Sequence, residues 1–140
     1  MEQRLEGYVG VNAHGAPKRE RDIPRTPARK AEVGADEFFR LDLRAGRIVE
    51  VEDFAEARVP AWKLTVDFGA SVGKLRTSAQ VRNYEREELI GRMVVGAINL
   101  GCKRIAGFES EFLVLGAITS TGTVRLLAVE EGVVPGSTIA

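Results

Sequence analysis

Residues 62–81 read WKLTVDFGASVGKLRTSAQV, and this stretch decides the fold. Over its first seven residues, apolar and polar side chains alternate strictly, which is the period of a half-buried strand. The same alternation returns from Lys74 to Val81, after a five-residue connection that begins with Gly69 and ends with Gly73. A short glycine-containing connection between two alternating runs predicts a β-hairpin.

The polar sides of these two predicted strands carry positive charge. If the apolar sides face a core, the outer face displays cationic, hydroxyl and amide side chains, with Asp67 beside them: Lys63, Lys74, Arg76, Ser78 and Gln80. A solvated sheet surface explains this pattern, because antiparallel sheets routinely expose one face to water. A cationic face that binds nucleic acid explains it equally well.

Further strands are predicted on both sides of the hairpin. Val49 and Val51 alternate with glutamates, which indicates a half-buried strand, and Gly46 fits a bend or bulge in it. Three buried strands are predicted later in the chain, at residues 93–100, 112–118 and 124–129. About six strands favour an all-β fold, a five-stranded Greek-key barrel of the OB type with additional C-terminal strands. Periodicity alone leaves other small Greek-key barrels open.

Two short helices are predicted. Residues 85–90 are rich in helix formers and are followed by Gly91, a common helix stop. The other helix is expected to begin at Asp36, with the Asp36 side chain as its cap. Phe38 or Phe39 would then anchor this helix to the core.

The segment between the strands at 93–100 and 112–118 is predicted to be a binding loop on a rigid scaffold. It offers Asn99, Lys103, Arg104 and Ser110. Three loop residues, Phe54, Ile105 and Phe108, could form an exposed apolar patch that contacts unfolded polypeptides. The alternative is that Ile105 and Phe108 are lids over the barrel end, since large apolar side chains tend to be buried.

Composition limits the classes of function. A chain of 140 residues with 44% hydrophobic and 29% charged residues is typical of one globular domain. No apolar run reaches the roughly 18 residues of a membrane span, so we expect a cytoplasmic protein. Cys102 and His14 are the only cysteine and histidine, which argues against a metal site and against a Ser-His or Cys-His pair. We therefore predict no enzymatic activity and no cofactor.

The first 35 residues are predicted to be a basic, proline-containing and flexible extension, followed by a folded domain at 36–140. They carry seven Lys and Arg against five Asp and Glu, and residues 17–30 hold three prolines. Such a segment buries too little apolar surface to offset the entropy of ordering it. It is either a solvated leader or a basic arm that adds phosphate contacts.

Several motifs resemble the CsaA family of export-related chaperones, within the wider group of tRNA-binding OB-fold domains found on some methionyl- and phenylalanyl-tRNA synthetases. The resemblance covers about residues 37–140 and rests on six segments: Phe38–Val49, Phe54–Leu64, Val66–Gly69, Thr77–Gln80, Leu89–Gly91 and Ile105–Glu111. The chain departs from the family pattern at Gly101-Cys102 and Ala55, where prolines are frequent, and at Thr77, where serine is frequent.

The resemblance implies an OB-fold homodimer with an N-terminal helix and C-terminal strand elements at its interface. It also implies two kinds of partner, tRNA or other structured RNA and unfolded secretory preproteins in protein export. Position by position, Asn99, Lys103, Arg104 and Ser110 match the family's polar loop, and Ser78 matches a serine after the third strand. The RNA-binding candidates are thus Lys63, Lys74, Arg76, Ser78, Asn99, Lys103, Arg104 and Ser110; the peptide-binding candidates are Phe54, Ile105 and Phe108.

Overall fold

A computed structural model describes residues 27–140. The predictions that concern residues 1–26, which include most of the basic extension and His14, lie outside the described residues. The secondary structure elements, in chain order, are α1 (Ala35–Phe39), β1 (Leu43–Asp53), β2 (Trp62–Asp67), β3 (Lys74–Ala79), α2 (Arg86–Leu89), β4 (Met93–Ala97), β5 (Lys103–Ile105), β6 (Phe108–Ser110), β7 (Leu113–Val114), β8 (Gly116–Ile118) and β9 (Val124–Leu126).

Five of the strands form an antiparallel sheet in the order β3-β2-β1-β4-β7. The sheet curls into a nearly closed barrel, and backbone contacts join its two edges. The Glu111 amide donates to the Arg76 carbonyl at 2.7 Å, which links β3 to the segment between β6 and β7. The pairs β5-β6 and β8-β9 form separate two-stranded sheets. This architecture confirms the predicted all-β OB fold with short helices and additional C-terminal strands.

The hairpin predicted at residues 62–81 is present as β2 and β3. Its register runs from Trp62 opposite Ala79 to Asp67 opposite Lys74. Leu64, Val66 and Phe68 are fully buried, as the alternation predicts. Thr65 is the exception, because it was expected on the solvent side and is only 8% exposed. Its short side chain lies between the longer Glu50 and Arg76, which occupy the directly opposite positions on β1 and β3.

A β-bulge in β1 changes which residues face the core. Ile48 pairs with Val66 and Glu50 pairs with Thr65, so Val49 has no partner. The predicted placement of Val49 on the core side is therefore wrong, because Ile48 and Val51 are fully buried while Val49 is half-buried. The bulge lies three residues after Gly46. Gly46 serves close packing instead, since a Cβ there would lie 2.6 Å from Val66 Cγ1 and 2.7 Å from the Phe68 ring.

The predictions for helix α1 are wrong in two respects. The N-cap is Gly34 and not Asp36, and the Glu37 carboxylate accepts a hydrogen bond from the Gly34 amide at 3.0 Å. Phe38 and Phe39 are 41% and 68% exposed, so neither anchors the helix to the core. Polar contacts hold this end of the chain, because the Asn99 side chain bonds the backbone next to the helix, as described below.

Two of the predicted strands have different bounds in the structure. The α2 region is helical as predicted, whereas β4 ends at Ala97 and the predicted strand at 112–118 divides into β7 and β8. One cluster of buried side chains fills the barrel, and a smaller one consists of Phe54, Ala61 and Phe108. Across residues 27–140, none of the helices has the length and apolar character that crossing a bilayer requires.

Candidate nucleic-acid interface

The outer face of β1, β2 and β3 carries most of the predicted cationic side chains. Residues directly opposite one another on antiparallel strands project to the same face. The pairing therefore defines three rows on this face: Glu52–Lys63–Ser78, Glu50–Thr65–Arg76 and Arg47–Asp67–Lys74. The face was predicted to hold one carboxylate, Asp67, and the pairing adds Glu50 and Glu52 of β1 beside the cations.

The segment predicted as a binding loop is a β-hairpin. In β5 and β6, Lys103 lies opposite Ser110, Arg104 opposite Glu109, and Ile105 opposite Phe108. The two turn residues, Ala106 and Gly107, both have positive φ, 48° and 82°. Two positive φ values are typical of a type I′ hairpin turn, in which Asn or Asp usually stands where this chain has Ala106. The sequence therefore lacked the usual signal for this hairpin.

The hairpin folds onto the barrel through aromatic packing. The Phe54 and Phe108 ring centroids lie 5.4 Å apart in an edge-to-face arrangement. These residues are 3% and 7% exposed, and the half-buried Ile105 packs against them. In this conformation Phe54 and Phe108 are buried against each other and present no exposed apolar patch.

Two cations of the sheet face lie over these rings. Lys63 Nζ is 4.8 Å from the Phe54 centroid and 5.3 Å from the Phe108 centroid. The Arg76 guanidinium carbon is 4.6 Å from the Phe108 centroid. Each such cation–π contact is worth about 0.5–1 kcal/mol at an exposed site. The aromatic rings thus hold Lys63 and Arg76 near each other.

Lys63 and Arg76 also line a surface cavity of about 510 Å³. Its other walls are the hairpin turn, Phe108 and two acidic side chains, Glu56 and Glu109. From the sequence these two glutamates are interpreted as surface charge, and only the tertiary structure brings them beside the cations. The cavity is open to solvent, and its wall is charged and partly aromatic.

The ion pairs near this cavity are solvent-exposed. Arg76 lies 3.9 Å from Glu52, with both side chains about half exposed, and Arg104 lies 2.7 Å from Glu109. Exposed pairs of this kind contribute only about 0–1 kcal/mol. The cations can therefore exchange a carboxylate for a phosphate at small cost. Lys103 is exposed on the β5-β6 hairpin, next to Arg104. Lys74 is the first residue of β3 and lies at the end of that strand away from Ser78.

Three of the predicted polar residues, Ser78, Asn99 and Ser110, form hydrogen bonds that stabilise the fold. Ser110 is buried and bonds Thr77 at 3.1 Å and the Ser78 amide at 3.2 Å. Asn99 accepts from the Asp42 amide and donates to the Arg40 carbonyl, each at 2.8 Å. Asn99 therefore fixes the connection between α1 and β1, and Ser110 fixes the hairpin against β3. Ser78 is half-buried beside Lys63.

Residues 27–140 contain no group of three His, Cys, Asp or Glu side chains placed to hold a metal ion. Cys102 is exposed and forms no disulfide.

An OB-type barrel with cations and a hairpin on its outer face defines a nucleic-acid-binding class of domain. The family model described as "Putative tRNA binding domain" matches residues 43–138, and the chain belongs to this family. Within the family it is of the CsaA type, as the resemblance predicted. It is 44% identical to the CsaA chaperone protein from Picrophilus torridus, with a TM-score of 0.74, over 78% of this chain and 100% of that one.

Other relatives agree with this classification. The chaperone CsaA from Bacillus anthracis is 42% identical, with a TM-score of 0.74, over 79% of this chain and 100% of that chain. The methionine-tRNA ligase of Methanococcus vannielii is 34% identical over 139 residues, which is 99% of this chain and 20% of the ligase. The chain thus spans about a fifth of the length of that relative.

Proposed function

We propose that this protein is a non-catalytic module that binds tRNA or other structured RNA. The binding surface, here called the β2–β3 surface, consists of the outer faces of β2 and β3 together with the β5-β6 hairpin. The observation that carries the proposal is the convergence of Lys63 and Arg76 over Phe108, at the rim of a cavity of about 510 Å³. OB folds bind nucleic acids across the face that contains the second and third strands.

Recognition on this surface acts through backbone and shape. Phe54 and Phe108 are packed against each other, so few aromatic faces are open for base stacking. Lysine and arginine neutralise phosphates without reading base sequence. Folded RNA is recognised largely by shape and by backbone contacts, so we expect little sequence preference.

The interleaved carboxylates add selectivity. Glu50, Glu52 and Asp67 lie among Lys63, Lys74 and Arg76 on one face. A phosphate that meets Lys63 or Lys74 gains energy, and one displaced within the row to the adjacent strand meets Glu52 or Asp67 and is repelled. Repulsion of wrong registers is a physical source of specificity. Such a surface favours an RNA whose phosphates are held at fixed spacings over an unstructured strand.

A homodimer fits the exposed apolar side chains at the two ends of the described chain. Phe38 and Phe39 in α1 and Val134 near the C-terminus are all exposed. The resemblance to CsaA assigns these two regions to the subunit interface. A twofold dimer presents two copies of the β2–β3 surface, which raises avidity for a large RNA without new contacts. Binding of tRNA is a task of the cytoplasm, where we place the protein.

The test is tRNA affinity in equilibrium titrations of the intact chain. Lys63→Gln/Arg76→Gln removes the two cations over Phe108 and should weaken binding. Arg82→Gln is a single-charge control, since Arg82 does not line the cavity and contacts Asp53 at 2.6 Å. The logarithm of the binding constant falls linearly with the logarithm of the salt concentration. Each lost contact with a duplex phosphate should reduce the steepness of that line by about 0.9. Equal affinities for the wild type and the double variant would reject the proposed surface.

A second candidate function is ATP-independent holding of unfolded preproteins. It is favoured by the names of the two solved relatives, both called CsaA chaperones. Because Phe54 and Phe108 are buried, this activity requires the β5-β6 hairpin to move away from the barrel. Suppression of substrate aggregation that survives Phe108→Ser, in a variant that remains folded, would exclude this mode of binding.

A further inference from the structure

Three arginines gather at a second place, where α2 leads into β4. The Arg92 guanidinium carbon lies 4.8 Å from the Tyr84 ring centroid, and that of Arg125 lies 5.3 Å from the same centroid. Arg47 donates to the Gly91 carbonyl at 2.9 Å, next to Arg92 in the chain. Arg47 and Arg92 line one surface cavity of about 480 Å³. Three positive charges from distant parts of the sequence thus share one region, here called the Tyr84 surface.

The barrel core holds these side chains in place. Tyr84 is buried, and its hydroxyl accepts a hydrogen bond from the Leu126 amide at 3.1 Å. This bond brings β9, and with it Arg125, beside the ring. Arg92 donates to the Glu88 carbonyl at the end of α2, at 3.3 Å. The Tyr84 surface is therefore built on fixed elements.

These three arginines have no acidic partner within 4 Å, a property that they share with Arg40, Arg58 and Arg86 and that separates them from four other arginines of the described chain. Arg44, Arg76, Arg82 and Arg104 each have a carboxylate within 4 Å. Within residues 27–140, Arg47, Arg92 and Arg125 have none, and hydrogen bonds to the backbone and contacts with the ring hold them instead. Glu130 and Glu131 line the same cavity without forming an ion pair with Arg47 or Arg92. Arg92 and Arg125 contact the same ring, so their positive charges repel one another, and a bound anion relieves that repulsion.

We propose that Arg47, Arg92 and Arg125 form a second phosphate-binding surface, so that one folded RNA contacts the barrel at two places. The inference rests on the proposed RNA-binding function. A guanidinium presents parallel N–H groups that match the geometry of a phosphate. The Tyr84 surface is formed by β1, β4, β9 and α2, and the first cavity is formed by β2, β3 and the β5-β6 hairpin. A ligand that reaches both must be large, as a folded RNA is.

If Arg92 and Arg125 only support the structure, the loss of their charges should leave RNA binding unchanged. Arginine stems can shield an aromatic ring, and in that case the charge would matter little. Arg92→Lys/Arg125→Lys keeps both charges and removes the guanidinium contact with Tyr84. Arg92→Gln/Arg125→Gln removes both charges. Arg47 stays unchanged in both variants because it bonds Gly91 and so supports the junction of β1 and β4.

The experiment measures tRNA binding by the full chain over a range of salt concentrations, together with thermal stability. For Arg92→Gln/Arg125→Gln we expect a loss of affinity on the order of tenfold and a slope lowered by about 0.9 for each duplex phosphate released. Arg92→Lys/Arg125→Lys should keep most of the salt dependence of binding. Arg82→Gln should leave that dependence unchanged. An unchanged slope in the glutamine pair would overturn the inference and leave only a structural role.

The same titrations separate this inference from the proposed function. If the wild-type protein fails to bind tRNA, both are wrong. If Lys63→Gln/Arg76→Gln lowers the slope and Arg92→Gln/Arg125→Gln does not, the β2–β3 surface stands and the Tyr84 surface is rejected.

Discussion

The Ser110 hydroxyl donates a hydrogen bond to the Thr77 hydroxyl, 3.1 Å away, and this bond ties the β5-β6 hairpin to β3. The direction follows from the chemistry of a hydroxyl, which has one proton. Thr77 donates its proton to the Phe112 carbonyl at 2.7 Å, so the proton between the two hydroxyls comes from Ser110. The Ser78 amide completes the network by donating to Ser110 at 3.2 Å. This buried network fixes the hairpin relative to Arg76.

Thr77→Val should destabilise the fold by about 1–3 kcal/mol, because it removes the donor to the buried Phe112 carbonyl and the acceptor of the Ser110 hydroxyl proton. Chemical denaturation measures this loss. Thr77→Ser keeps the hydroxyl and should retain the network. Thr121→Val, which removes an exposed hydroxyl, should change the free energy of unfolding by less than about 0.5 kcal/mol. Equal stability of the valine and serine variants at position 77 would contradict this role.

Gly46→Ala should cost about 1–3 kcal/mol through overpacking. The added methyl group would lie 2.6 Å from Val66 Cγ1 and 2.7 Å from the Phe68 ring. Val66→Ala removes one of these clashes. Unfolding measurements on both single variants and the double variant should therefore give a coupling of about 0.5 kcal/mol or more. If the free-energy changes of the two single variants simply add in the double variant, the added methyl group does not clash with Val66.

Phe38→Ser/Phe39→Ser should convert the proposed dimer to a monomer, because it removes the exposed aromatic side chains of α1. Sedimentation at micromolar concentration measures the change. Phe38→Leu/Phe39→Leu preserves apolar character and should preserve association. A wild-type protein that sediments as a monomer would refute the proposed dimer.

The sequence predicts the barrel well where alternation is strict. The run from Trp62 to Phe68 has only one side that can face a core, and the structure confirms the hairpin there. The bulge at Val49 was not predictable, because valine fits both a bulge and a regular strand. Helix α1 was misjudged for a similar reason, since phenylalanine usually indicates burial and Phe39 is exposed within this chain.

The sequence predicts which side chains of a given strand share a face, but it does not predict which strands lie side by side. Alternation placed Lys63 and Arg76 on one face, and strand pairing supports that placement. The glutamates of β1 on the same face depend on register, which a bulge shifts. The Tyr84 surface could not be foreseen, because Arg47, Arg92 and Arg125 are far apart in sequence and meet only through the tertiary fold.

The most direct test of the central claim is to follow the backbone amide resonances of the protein by NMR as tRNA is added. We expect the largest shifts on the outer faces of β2 and β3 and along the β5-β6 hairpin, with Lys63, Arg76 and Phe108 among them. Shifts confined to α1 and the C-terminal segment, with β2, β3 and the hairpin unchanged, would contradict the account.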